Sequence, residues 1–133
     1  MSSMTRPLAG PSLTFRLADH LAELRQEEAY ARSGRAGRTL AKSGRLRVVL
    51  LAVADGVVIG THQADSPMTL QVVEGGLRWR DAGGEHELRQ GELLFFDPGK
   101  AEDIRATAAS ALLLTLSAID DDFRPEERGN TNA

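Results

Sequence analysis

Between residues 45 and 117 turn residues cut the chain into eight short apolar runs, and this spacing limits the fold more than any other feature. The runs are 45–54, 57–63, 69–73, 77–80, 86–88, 92–96, 103–106 and 111–117. They are separated by Asp55-Gly56, Ser66-Pro67, Gly75-Gly76, Gly83-Gly84, Gln90-Gly91 and Asp97-Pro98-Gly99. The runs are rich in Val, Leu, Ile or aromatic residues, so they read as strands. Short strands at this spacing predict an all-β sandwich or barrel. Leu77 and Trp79 alternate with Arg78 and Arg80, which puts one face of that hairpin in water.

The pattern upstream is different. In 15–31, Leu17, Leu21 and Leu24 fall on one helical face, with Ala18 and Ala22 beside them. Glu23, Arg25, Gln26, Glu27 and Glu28 cover the other side, predicting one amphipathic helix ahead of the strands. Residues 32–44 read as a basic connector. Gly34, Gly37 and Gly44 break regular structure there. Arg32, Arg35, Arg38, Lys42, Arg45 and Arg47 add positive charge with no acid between them. This connector is expected to be solvated, with the acidic C-terminal residues as a source of countercharge. The chain thus divides into a flexible tail (1–11), helix and basic connector (12–44), barrel (45–119) and acidic polar tail (120–133).

A length of 133 residues predicts one domain. The absence of cysteine excludes disulfides, thiolate zinc sites and cysteine nucleophiles. The first residues lack the apolar core of a signal peptide, and the apolar run 48–54 is too short to span a bilayer. A cytoplasmic location is expected. A net charge of -3 and few aromatic residues argue against nucleic-acid binding. Gly34-Arg35-Ala36-Gly37-Arg38-Thr39 lacks the spacing of a phosphate loop, and no serine sits in a Gly-x-Ser-x-Gly elbow.

Two stretches resemble the paired motifs of the cupin family. The first runs from Gly56 through His62, Ala64, Pro67 and Met68 to Gly75. The second runs from Gly91 through Pro98, Gly99 and Glu102 to Ala106. The first cupin motif carries His-x-His and a glutamate, and the second carries one more histidine. The resemblance implies a single jelly-roll β-barrel with a pocket in its mouth and, in metal-dependent members, ligands projecting into it. Position by position, the first histidine matches His62 and the second falls on Ala64. The glutamate falls on Met68, and the last histidine falls on Glu102. Positions 62 and 64 share a strand face if the register holds. Ala64 and Met68 cannot hold a hard or borderline cation.

The resemblance therefore implies a protein that binds a small molecule in the barrel mouth, with a degenerate metal site and no established catalysis. The pocket it implies includes His62, Ala64, Met68, Leu70, Glu102 and Ile104. No cofactor is expected. The alternative is an enzyme, using His62 and Glu102 either for a divalent transition metal at a non-standard site or as a metal-free acid–base pair. Glu102 is expected to point inward and pair with His62, and Asp103 to point to solvent. His20 and His86 are expected at the surface. A homodimer is expected, because a sandwich of short strands leaves edges that need cover.

Overall fold

The computed structural model describes residues 6–60, 67–96 and 103–117. Helices α1 (Leu17–Arg25) and α2 (Glu28–Ser33) precede β1 (Arg35–Ser43), β2 (Leu46–Val53), β3 (Val58–Gly60) and β4 (Met68–Glu74). β5 (Gly76–Asp81), β6 (Gly84–Arg89), β7 (Leu93–Phe96), β8 (Asp103–Ala106) and β9 (Ser110–Ser117) follow. The strands form a five-stranded sheet of order β1-β2-β9-β4-β7 and a four-stranded sheet of order β3-β8-β5-β6. All pairings are antiparallel. This is the all-β sandwich that the strand spacing predicts, in the jelly-roll form that the resemblance implies.

Alternation decides what each face buries. Met68, Leu70 and Val72 of β4 turn inward, as do Leu51 and Val53 of β2 and Leu112 of β9. They meet Ile59, Leu77, Leu88, Ile104 and Ala106 of the other sheet. Leu50 and Ala52 of β2 point the other way and pack under α1 with Leu21 and Leu24. β2 is thus covered on both faces, which explains its unbroken apolar run. Truncating a fully buried leucine such as Leu70 or Leu77 to alanine would cost about 2–5 kcal/mol.

Three features of the N-terminal third differ from the sequence reading. The expected single helix is two short ones. Gln26 closes α1, and α2 ends where Gly34 takes a left-handed φ of 80°. A Cβ on Gly34 would lie 2.7 Å from the side chain of Val57, so the helix stop also needs glycine for space.

The basic connector is mostly strand: β1 pairs with β2 along its length, with a register shift between Thr39 and Ala41. Lys42 and Arg45 are exposed, as expected, but Arg38 is not. Arg38 shares the helix-facing side of β1 with Ala36 and Leu40, and its side chain is only 8% exposed. The guanidinium donates to Glu23 at 2.7 Å, to Nδ1 of His20 at 2.8 Å and to Glu27 at 3.4 Å. The countercharges of Arg38 come from Glu23 on α1 and Glu27 just before α2; the C-terminal tail lies outside the described residues. Glycines and arginines taken singly read as loop, whereas period two places Arg38 beneath the helix whose acids it meets. An arginine stem covers apolar surface while its head stays paired.

The tail predicted at 1–11 is tied down within its described part. Arg6 donates to the carbonyls of Thr39 and Leu40, at 2.6 and 3.0 Å, and the carbonyl of Leu8 accepts from the Lys42 amide at 2.8 Å. Among the described residues no helix is long and apolar enough to cross a membrane.

Candidate functional site

Strand ends define one open end of the sandwich. Gly60 pairs with Asp103 in one sheet, and Met68 pairs with Phe96 in the other. The chain crosses between the sheets from Gly60 to Met68 and again from Phe96 to Asp103, and both of these connections leave from this end. The predicted pocket residues His62, Ala64 and Glu102 lie outside the described residues. So does the proposed pairing of His62 with Glu102.

Met68, Leu70 and Ile104 are described. All three are buried in the inter-sheet core, at 8%, 1% and 0% exposure. The structure brings them into one apolar cluster with Leu77, Val72 and Leu112, and with the partly buried Trp79, Leu94 and Leu116. Asp103 is exposed, as expected. Met68 also borders a surface groove of about 350 Å³, which Arg45, Thr69, Phe95 and Thr115 line from the outer side of the five-stranded sheet.

The β5–β6 hairpin brings a polar group to the same end. Asp81 pairs with Gly84, leaving a two-residue loop, so Trp79 stands opposite His86 and Leu77 opposite Leu88. Leu77 and Leu88 belong to the inter-sheet core. Two residues further along each strand, Trp79 and His86 must share that inner face. Trp79 does pack against the core, and on β8 its neighbour is Ile104. The rings of Trp79 and His86 stack at 5.2 Å, with 29° between their planes. Nε2 of His86 donates to Oδ1 of Asp81 at 2.7 Å, and the same oxygen accepts the Gly83 amide at 2.8 Å. The second bond is an Asx-type turn that fixes the carboxylate before the imidazole meets it.

Exposure rises along this face. Leu77 is 1% and Leu88 7% exposed, whereas the side chains of Asp81 and His86 are 37% and 38% exposed. The expectation for His86 is therefore half right. Solvent reaches it, but it stands on the inner face at the open end and not on the wet outer one. The outer face carries the cross-strand pairs Arg78–Glu87 at 2.7 Å and Arg80–Glu85 at 3.6 Å. The sequence reading places no candidate site at Asp81 or His86. The signal was there: a two-residue Gly83 loop fixes the register, and register assigns the face.

His20 is the second correction. It is part-buried against Phe15, with ring centroids 6.1 Å apart, and accepts from Arg38. Burial lowers its pKa below the ordinary value, and the charges of Arg38 and Arg6 push it further down. It stands on α1, outside the sandwich, on the side that meets Arg38 of β1.

No family model and no curated protein matches the chain. Solved structures do. A cupin-2 domain protein from Shewanella frigidimarina superposes with a TM-score of 0.62 at 16% identity, over 78% of this chain and 94% of its own. An RmlC-like cupin from the same organism gives a TM-score of 0.59 at 22% identity, over 69% and 83%. KdgF from a Halomonas species gives 0.56 at 20% identity, over 68% and 86%. The protein has the cupin fold, as the two motifs imply.

Cupin folds often hold a metal, so the residues were compared with that role. Among the described residues, no group of three or more His, Cys, Asp or Glu could hold a metal ion. The one matched ligand position that is described carries Met68, a thioether inside an apolar cluster. That residue does not fit a hard or borderline cation.

Proposed function

We propose that the protein binds a small, partly apolar molecule at the open end of the sandwich, where the family's metal site is degenerate. One observation supports this most: the inner face grades from closed apolar packing at Leu70, Leu77 and Ile104 to the half-exposed group of Trp79, His86 and Asp81. An apolar lining with a few fixed polar groups is the common form of a ligand site. The degenerate reading rests on Met68 at the glutamate position and on Ala64 in the sequence.

The test uses untagged protein purified without chelator. Metal content should be well below one per chain. Small aromatic and aliphatic probes should shift the signals of Trp79, the single tryptophan of the chain. A near-stoichiometric transition metal, lost on H62A, would overturn the degenerate reading. A Trp79 signal unmoved by all probes would overturn the pocket.

A homodimer is proposed as well. β7 is an edge strand, and its outward Leu93 and Phe95 are 61% and 58% exposed. An apolar, uncharged edge of this kind favours cover by another chain. Light scattering at micromolar concentration should give twice 14.4 kDa, and Phe95→Glu should return the chain to the monomer mass. A monomeric wild type would refute it.

A further inference from the structure

We infer that His86 is the hydrogen-bond acceptor that selects the ligand, and that the ligand is a neutral molecule with an apolar body and one hydroxyl donor. This rests on the pocket reading above and adds the chemistry of its polar end. Asp81 is held by the Gly83 amide and takes the proton side of the imidazole at Nε2. A neutral imidazole with its proton on Nε2 presents a lone pair on Nδ1. Nδ1 of His86 has no hydrogen-bond partner among the described residues. The ring cannot turn freely, because one face is stacked on Trp79.

A carboxylate that orients an imidazole through one nitrogen presents the other as an acceptor for a proton donor. An exposed hairpin staple would need the Nε2 contact alone, with no requirement for the inner face. Here His86 stacks on Trp79, whose neighbour on β8 is Ile104, at the rim of the apolar cluster. A nitrogen lone pair disfavours an anionic group beside it, and the apolar rim disfavours a strongly hydrated cation. A hydroxyl on an aromatic or alicyclic body satisfies both.

The experiment compares phenol, anisole and toluene at about pH 8.5, where a phenol hydroxyl keeps its proton. Binding is followed by the indole N–H resonance of Trp79. Phenol should bind about three- to tenfold tighter than anisole, the range set by one net hydrogen bond. In His86→Phe, which keeps a ring to stack on Trp79, that preference should vanish while anisole still binds. The imidazole nitrogen shifts of the wild type should show the proton on Nε2, and Asp81→Asn should mix the tautomers. Equal binding of phenol and anisole to wild type would overturn the inference and leave the pocket standing. So would a preference retained in His86→Phe, or a wild-type proton on Nδ1. If none of the probes binds, the pocket reading falls and this inference with it.

Discussion

The hydroxyl of Ser110 accepts the backbone amide of Gly76 at 3.1 Å and so ties the two sheets together at the closed end. Ser110 opens β9 in one sheet, and Gly76 opens β5 in the other. The same hydroxyl donates to the carbonyl of Ala108 at 2.7 Å. Ser110 is the single fully buried polar residue among those described. Ser110→Ala leaves the Gly76 amide without its partner in a dry site. The expected cost is about 1–3 kcal/mol, read as a lower urea midpoint at unchanged slope. A change below about 0.5 kcal/mol would mean that water replaces the hydroxyl.

Gly75 is bound into the same corner. Its φ is 86°, and a Cβ there would overlap the Ser110 hydroxyl and the Ala109 carbonyl. Gly75→Ala should therefore cost about 3 kcal/mol or more, combining a left-handed backbone with a steric clash. Removing the hydroxyl leaves the clash with the carbonyl. Gly75→Ala should thus remain damaging in a Ser110→Ala background. Full rescue by Ser110→Ala would show that the hydroxyl alone set the limit.

Much of the sandwich was legible in the sequence because its strands are short and its turns are marked. The run 103–106 matches β8 residue for residue, and Leu77 with Trp79 gave the wet and dry faces of β5. β1 was illegible for a physical reason. It is an edge strand whose buried side faces a helix, so arginine can stand where apolar residues are expected. Of the residues that the motif spacing singles out, Met68, Leu70 and Ile104 lie in the inter-sheet core, whereas Asp81 and His86 belong to no motif. They become visible only when the hairpin register is worked out.

Arg38 offers a test of what a buried guanidinium contributes. Its partners Glu23 and Glu27 are about half exposed, so solvent screens the attraction. The stem, packed beneath the helices, should matter more than the charge. Arg38→Ala is expected to cost about 1–2 kcal/mol, and Arg38→Met less than half of that. If methionine proves as costly as alanine, the charge carries the interaction.

His20 and Glu23 both lower stability as pH falls. The pKa of His20 is lowered by burial first, then by Arg38 and Arg6. The unfolded chain therefore takes up the proton first. The contribution of His20 is complete above its ordinary value of 6.5 and is lost as pH falls through the folded pKa. The Glu23 carboxyl is held below its ordinary 4.5 by the Arg38 hydrogen bond, and its contribution is lost only below that value. Urea midpoints at pH 7.5 and 5.5 should fall less in His20→Gln than in wild type. An identical fall in both would rule out His20 as a source of the acid sensitivity.

The N-terminal arm gives the last prediction. β1 is an edge strand, and its register slips between Thr39 and Ala41. At that slip Arg6 donates to the Thr39 and Leu40 carbonyls, and Leu8 accepts from Lys42. The arm therefore supplies backbone partners where β1 loses them, and it shields an edge that would otherwise invite pairing. Arg6→Ala should cost about 1–2 kcal/mol, somewhat below the range for charged hydrogen bonds because the site is only partly buried. Deleting residues 1–10 should cost at least as much and should also expose the Lys42 amide. Hydrogen exchange separates the two effects. In wild type the Lys42 amide should be protected, in Arg6→Ala it should be partly protected, and in the deletion it should exchange freely. Free exchange of Lys42 in the wild type would show that the arm does not hold this edge in solution. A stability change under about 0.5 kcal/mol in the deletion would lead to the same conclusion.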